Sequence, residues 1–168
     1  MVPGQLNSGP CFAALLTITA AIRHVVVSET VFLGLGQALQ HDPALAGRKA
    51  LFVDDDIRNI FALTSVLEQH DVEVFYAENG RDGLQMLQEI EGIDVVLMDV
   101  MMPIMDGYEA TTRIRKKAAY KDLPIISLTA KAMPEDKAKS LEAGANDYLT
   151  KPVNIGKLLD MIWLWLYQ

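Results

Sequence analysis

The stretch LMDVMMPIMDGYEA, residues 97–110, joins the end of an apolar run to an acid and then to a loop. The run DVVLM leads directly into Asp99, and the loop after it contains Pro103 and Gly107. A strand so rich in Val, Leu and Met belongs in a core, where a carboxylate without partners is costly. The position of Asp99 therefore needs a reason, which the rest of the chain supplies.

From Gly47 onward, the chain alternates between short apolar runs and longer amphipathic segments. Predicted strands cover residues 49–53, 72–77, 93–99, 123–129 and 146–150. Predicted helices cover residues 57–70, 79–92, 106–120, 133–145 and 154–168. Strands that are apolar throughout are typical of parallel sheets with helices on both faces. The sequence therefore predicts an α/β fold: a doubly wound, five-stranded parallel sheet with five helices.

The first 46 residues differ in composition from the rest of the chain. They contain only three charged residues, Arg23, Glu29 and Asp42. Their apolar run CFAALLTITAAI is 12 residues long, too short to span a bilayer. We predict that residues 1–46 are an N-terminal extension, linker or remnant of a preceding domain, without membrane contact. Residues 47–168 are predicted to form the folded domain.

The charge and the cysteine count exclude several classes of function. A net charge of −7 over 168 residues argues against a general affinity for nucleic acid. The single cysteine, Cys11, excludes an internal disulfide and a cysteine-based zinc site. A reducing compartment fits this composition, so we expect the protein in the cytoplasm.

The apolar runs of the extension are expected to find a partner surface. Leaving them in water would cost about 25 cal/mol for each Å² of apolar surface. We expect the extension to pack against the domain's helices or against a second copy of the chain, which makes self-association an open possibility. Trp163 and Trp165 are candidates for part of that surface.

Polar residues stand at the ends of several predicted strands. Asp54–Asp56 follow the first strand, Asp99 ends the third, Thr129 ends the fourth and Lys151 follows the fifth. Ligands of open parallel sheets bind at this carboxyl edge. Converging carboxylates suit Mg²⁺, a lysine can neutralise a phosphoryl group and a hydroxyl can donate to it. Asp99 is then a candidate nucleophile, whereas Asp56 is interpreted as a solvated helix cap.

Four segments, VDDD, DVVLMDVMMPIMDGYEA, PIISLTAKAM and AGANDYLTKP, resemble in order and spacing the receiver domain of two-component response regulators. The resemblance covers residues 48–167 and implies the flavodoxin-like receiver fold. The segments DDDIRNIFALTSVLEQH and WLWLY are most similar to receivers at the C-terminal end of hybrid sensor histidine kinases.

The resemblance implies a phosphoacceptor and a metal site. Asp99 would accept a phosphoryl group from a histidine kinase or a histidine phosphotransfer domain. Asp54 and Asp55 would position Mg²⁺ (or Mn²⁺), together with Asp99 and the backbone carbonyl of Met101. No independent turnover is expected beyond self-phosphorylation and self-dephosphorylation.

The resemblance also assigns the residues that respond to the phosphoryl group. Lys151 would pair with it, and Thr129 would be the switch hydroxyl. Tyr148 would be the aromatic switch, although its ring is equally consistent with simple packing. The peptide bond between Lys151 and Pro152 is expected to be cis.

Two further residues are expected to set the lifetime of the phosphorylated form. Met101 and Lys131 lie two residues after Asp99 and two after Thr129, and in the family these positions flank the path of the attacking water. Neither side chain can act as a general base, and a lysine can pair with phosphoryl oxygens. We therefore expect slow self-dephosphorylation.

Two alternative functions stay open at this point. A magnesium-dependent phosphohydrolase with an aspartyl-phosphate intermediate also uses a strand-end Asp, a Thr and a Lys. Its usual general acid lies two residues after the nucleophile, where this chain has Met101. The second alternative is a pseudo-receiver that binds partners without phosphorylation, which is disfavoured because all the catalytic positions are filled.

Overall fold

The computed structural model describes residues 44–130 and 133–167, in which strands and helices alternate five times. The strands are β1 Lys49–Val53, β2 Glu73–Ala77, β3 Val95–Asp99, β4 Ile125–Thr129 and β5 Asp147–Thr150. The helices are α1 Ile57–Glu68, α2 Gly80–Glu89, α3 Gly107–Arg115, α4 Pro134–Glu142 and α5 Ile155–Leu166. A short 3₁₀ helix, Ala118–Tyr120, lies between α3 and β4.

The five strands form one parallel sheet in the order β2-β1-β3-β4-β5. The chain therefore moves outward from β1 to β2, returns to β3 on the other side of β1, and continues to β5. This reversal between β1 and β3 creates a crevice at the carboxyl edge of the sheet. The predicted doubly wound, flavodoxin-like fold is confirmed.

Two apolar clusters cover the two faces of the sheet. One contains side chains from α1 and α5, including Leu63 and Ile162, and the other contains side chains from α2 and α3, including Leu87 and Ile114. Every residue of β3 and β4 is buried, because these strands lie inside the sheet and are covered on both faces. The apolar strand interiors in the sequence reflect this double burial.

Helix α3 is shorter than the sequence predicts. The prediction of one helix over residues 106–120 is wrong. Helix α3 ends at Arg115, and Ala118–Tyr120 form a separate short 3₁₀ helix. The Arg115 guanidinium donates hydrogen bonds to the carbonyl oxygens of Tyr120 (2.7 Å) and Gly144 (2.7 Å), and to Asn146 Oδ1 (2.6 Å). The bond to the Tyr120 carbonyl holds the chain after α3 beside the Arg115 side chain, a position that a continuous helix through residue 120 would not give it.

The N-terminal end of the described chain packs with the domain. Leu45 is fully buried in the cluster with α1 and α5, and the Gly47 N–H donates to the Asp71 carbonyl. The predicted extension lies almost wholly outside the described residues, so its packing and the boundary at residue 46 stay predictions. In the described ranges, no helix has the length and apolar character needed to cross a membrane.

Gly107, the first residue of α3, fits where no other residue would. A Cβ atom at this position would lie 2.1 Å from the carbonyl oxygen of Asp99. The Gly107 N–H also donates to the Val100 carbonyl, at 3.0 Å. The start of α3 therefore rests directly on the backbone at the end of β3, and only a residue without a side chain allows this approach.

Replacing Gly107 with alanine should destabilise the domain by about 3 kcal/mol, because the added methyl group must displace the end of β3. Gly156→Ala is the matched control, because its Cβ would come no closer than 3.5 Å to the nearest neighbouring atom, Asn154 Oδ1. That change should stabilise α5 by about 0.5–1 kcal/mol. Urea unfolding measures both, and similar effects of the two substitutions would contradict this account.

Candidate functional site

The register of the sheet brings two acidic residues together at its carboxyl edge. Val53 of β1 pairs with Met98 of β3, so the residues that follow them, Asp54 and Asp99, are neighbours. Asp54 is 0% exposed and Asp99 is 4% exposed. Thr129, at the end of adjacent β4, is also buried. The predicted convergence of strand-end residues is therefore present in the structure.

Lys151 joins the two buried acids from the far side of β4. Its Nζ lies 2.6 Å from Asp54 Oδ2 and 2.9 Å from Asp99 Oδ2. Its backbone N–H donates to the Thr129 carbonyl at 2.7 Å, which ties the end of β5 to the end of β4. The peptide bond from Lys151 to Pro152 is cis, the geometry that the resemblance implied.

A third carboxylate, Asp55, completes the acidic cluster from an exposed position. The ligand-capable oxygens of Asp54, Asp55 and Asp99 lie within 4.8 Å of one another. Counted by formal charge, the three carboxylates and Lys151 together carry two excess negative charges. Hard carboxylate oxygens, an exposed side and excess negative charge are the conditions under which Mg²⁺ or Mn²⁺ binds. The residues present therefore fit such an ion.

Met101 contributes its backbone to the same place. Its N–H donates to Asp99 Oδ1 at 3.4 Å, which brings the loop after β3 alongside the cluster. The residue as a whole is 57% exposed. The proposed metal contact of the Met101 carbonyl and the effect of Met101 on phosphoryl lifetime stay predictions. Lys131, the other predicted lifetime residue, lies outside the described residues.

Burial and mutual repulsion set the protonation of the site. Burial raises the pKa of Asp99 above its ordinary value, and the charge of Asp54 acts in the same direction, while Lys151 opposes both. Burial alone would lower the pKa of Lys151, but its hydrogen bonds to Asp54 and Asp99 outweigh this and raise the pKa. The lysine is therefore stabilised in its charged form, whereas burial makes the ionised form of Asp99 less favourable.

Asp56 does not belong to the cluster, although it adjoins Asp55 in the chain. Its side chain caps α1 by accepting the Arg58 N–H, and it pairs with the Arg58 guanidinium at 2.7 Å. These hydrogen bonds lower the pKa of Asp56 to about 2. The interpretation of Asp56 as a helix cap is confirmed.

Tyr148 lies on the same face of the sheet as Thr129. Ser127 pairs with Tyr148 across β4 and β5, and Thr129 lies two residues further along β4, on the same face as Ser127. The Tyr148 ring is half-buried, with Lys137 Nζ of α4 5.2 Å from the ring centroid. The switch roles predicted for Thr129 and Tyr148 stay predictions.

Asn59 contacts the site and was missed in the sequence. Its side-chain Nδ2 donates to both oxygens of Asp54, at 3.2 Å and 3.4 Å. The available signal was its position five residues after Asp54, in the first turn of a predicted helix. Side chains of a first helical turn lean back toward the N-terminus of the helix, which here is the location of the acidic cluster.

Exposed apolar side chains occur on the segments that leave the carboxyl edge of the sheet. They are Ile57 and Phe61 of α1, Met101 and Ile104 of the loop after β3, and Met133 before α4. Phe61 has the largest exposed fraction of these, 75%. Large exposed apolar side chains near a functional site are candidates for contacts with a partner protein.

Comparison with known proteins identifies related sequences over this same region. The profile of the response regulator receiver domain matches residues 50–163. Protein PilH of Pseudomonas aeruginosa is 42% identical over 114 residues, which cover 68% of this chain and 93% of PilH. Sensor protein GacS of Pseudomonas syringae pv. syringae is 40% identical over 166 residues, which cover 96% of this chain but only 17% of GacS.

A solved structure with the same fold is described with a bound metal ion. The receiver domain of sensor histidine kinase PA1611 from Pseudomonas aeruginosa has 32% identity and a TM-score of 0.68. The match covers 73% of this chain and all of that domain, which is described with a magnesium ion coordinated in its active site cleft.

Asp99→Asn should make the metal-free domain more stable at neutral pH. Because the pKa of Asp99 is raised in the folded state, the protonated form of Asp99 stabilises the fold. This contribution is complete below the unfolded-state pKa and is lost as pH rises through the folded-state pKa. The amide avoids this loss, so the advantage of the variant should shrink as pH falls toward roughly 4. Urea unfolding in the presence of a chelator, between neutral pH and roughly pH 4, measures the difference in stability between the variant and the wild type. Asp160→Asn, at an exposed site on α5, is the control, and equal pH profiles for all three proteins would contradict the prediction.

Proposed function

Because this chain belongs to the response regulator receiver domain family, we propose that it accepts a phosphoryl group from a phosphohistidine onto Asp99. The observation that carries the proposal is the ion pair of Asp99 with Lys151, at 2.9 Å. It supplies a buried carboxylate as nucleophile and an ammonium group ready to meet incoming negative charge. The donor is a histidine kinase or a histidine phosphotransfer domain.

The proposed reaction is an in-line transfer between two side chains. An Asp99 carboxylate oxygen forms a bond to phosphorus while the bond from phosphorus to the donor imidazole nitrogen breaks. The imidazole nitrogen keeps the electron pair, and the product is an acyl phosphate on Asp99. Because the transition state of such transfers is loose, the domain acts mainly by positioning the groups and offsetting charge.

The acidic cluster is proposed to hold Mg²⁺ or Mn²⁺ during this transfer. Asp54, Asp55 and Asp99 are the proposed side-chain ligands, and Met101 would add its backbone carbonyl. The bound ion supplies positive charge that offsets the charge on the transferring phosphoryl group. The magnesium in the similar PA1611 receiver supports this assignment.

The response to phosphorylation is proposed to begin with Lys151 and Thr129. The new group carries about −1.5 to −2 charges at neutral pH, so Lys151 leaves Asp54 for the phosphoryl oxygens and the Thr129 hydroxyl moves toward them. Tyr148, on the same face as Thr129, then turns inward. The surface of α4, β5 and α5 changes as a result, and partner proteins bind the changed surface.

The chain is proposed to act as the receiver of a hybrid sensor kinase. The match to GacS covers 96% of this chain and so includes most of the first 46 residues, in addition to the receiver. GacS is named a sensor protein, and the PA1611 receiver also belongs to a sensor histidine kinase. A phosphohydrolase is disfavoured by the family membership and by Met101 at the position of the general acid.

Acetyl phosphate with Mg²⁺ should add one phosphoryl group to the wild-type chain, detected by intact mass and lost after mild base. Asp99→Asn should add none, since an amide oxygen is a poor nucleophile. Asp55→Asn should slow labelling at low Mg²⁺ and recover at high Mg²⁺. Asp56→Asn changes an adjacent acid that pairs with Arg58 instead, so it should label as wild type does. Full labelling of Asp99→Asn would refute the proposed acceptor.

The exposed apolar residues near the cluster are proposed to receive the phosphodonor domain. A protein that delivers phosphohistidine to Asp99 must approach the carboxyl edge of the sheet. There it meets Phe61 and Ile57 on one side and Met101 and Ile104 on the other. A large aromatic side chain that is mostly exposed before binding can bury much area at an interface, as binding hot spots do.

Phe61→Ala should slow transfer from a phosphorylated histidine phosphotransfer domain about tenfold, equivalent to about 1.4 kcal/mol of lost interaction. Labelling by acetyl phosphate should not change, because this small donor needs no docking surface. Trp163→Ala removes an exposed aromatic side chain near the C-terminal end of α5. This substitution should affect neither reaction. Equal slowing with both donors would place the effect of Phe61 on the site itself and refute the docking role.

A further inference from the structure

Asn59 is fixed in position by the first turn of α1. Its backbone N–H donates to the Asp56 carbonyl at 2.9 Å, and the Asp56 side chain caps the same turn. From there, the half-buried Asn59 amide reaches back to Asp54, with Nδ2 3.2 Å from Oδ1 and 3.4 Å from Oδ2. One amide group therefore spans both oxygens of a carboxylate that is fully buried.

Asp54 receives hydrogen bonds from three donors, two at the start of α1 and one after β5. The Asp56 N–H donates to Oδ1 at 2.9 Å, and Lys151 Nζ donates to Oδ2 at 2.6 Å. Asn59 is the third donor and the one that reaches both oxygens. When Lys151 moves away, Oδ2 keeps only the Asn59 amide among these three donors, because the Asp56 N–H contacts Oδ1.

We propose that Asn59 is a positioning residue, which orients Asp54 toward a bound cation and holds it when Lys151 leaves. A buried carboxylate that loses a charged donor is costly unless another donor remains. Groups that hydrogen-bond to a metal ligand also fix its direction, and their loss commonly weakens metal binding 10-fold to 100-fold. This inference rests on the proposed cation site and on the proposed movement of Lys151.

The first test measures Mn²⁺ binding to the unphosphorylated full chain by calorimetry. Asn59→Leu keeps a similar volume without a donor, and its affinity for Mn²⁺ should fall about tenfold. Asn59→Gln keeps an amide donor and should bind several-fold more tightly than Asn59→Leu. Ser65→Ala is the matched control, since it removes a hydrogen bond to the Phe61 carbonyl elsewhere on α1 and should bind as wild type does.

The second test measures coupling between Asn59 and Lys151. In a Lys151→Met background, Asp54 depends on Asn59 for its remaining side-chain hydrogen bond, so Asn59→Leu should weaken Mn²⁺ binding by a larger factor than it does in wild type. Equal factors in the two backgrounds would overturn the claim that Asn59 replaces Lys151. If Asn59→Leu fails to fold, Asn59→Ala makes the same comparison.

The outcomes separate this inference from the proposed function. Absence of Mn²⁺ binding to wild type would refute the cation site on which the inference rests. Binding to wild type that is unchanged in Asn59→Leu would refute the inference alone. A purely structural role for Asn59 would lower the urea midpoint of the metal-free chain without changing Mn²⁺ affinity, and this result would also refute it.

Discussion

The carboxyl edge of this sheet depends on one ammonium group, that of Lys151, which separates two buried carboxylates. Asp54 and Asp99 are brought together by the pairing of β1 with β3, and neither is accessible enough for water to screen it well. Buried charges of one sign repel strongly in a medium of low polarisability. Removing one partner of such a buried set commonly costs about 3–5 kcal/mol, so Lys151 stabilises this edge of the sheet.

The rest of the fold holds these repelling groups in place. β3 is buried on both faces, so packing from both sides fixes the strand that ends in Asp99. Gly107 lets α3 begin against the Asp99 carbonyl, which fixes the backbone on the far side of the acid. Lys151 in turn is tied to Thr129 through the backbone. Apolar packing thus stabilises an arrangement that electrostatics alone would disperse.

The sequence predicts the strand-end residues well and the contacts between segments poorly. Asp99 and its neighbours were predictable because strand ends are visible in the apolar pattern and parallel strands share one carboxyl edge. Asn59 was not, since its contact with Asp54 depends on the direction in which one helical turn presents a side chain. The end of α3 was also missed, because helix propensity over residues 106–120 does not include the buried hydrogen bonds of Arg115. The contacts of Arg115 with Gly144 and Asn146 are long-range and are not encoded in local patterns.

The charges of the site suit the response that is proposed for phosphorylation. Before reaction, Lys151 is shared between Asp54 and Asp99, and a divalent ion at the cluster would cancel the two excess negative charges. The proposed phosphoryl group on Asp99 would replace one carboxylate charge by about −1.5 to −2 charges, so the balance would shift again toward negative. Lys151 then has a stronger anion to pair with than Asp54, and Asp54 needs a donor that stays. An amide such as that of Asn59 suits this role because it is neutral. A second cation in its place would be attracted to the phosphoryl group, as Lys151 is, and would leave Asp54.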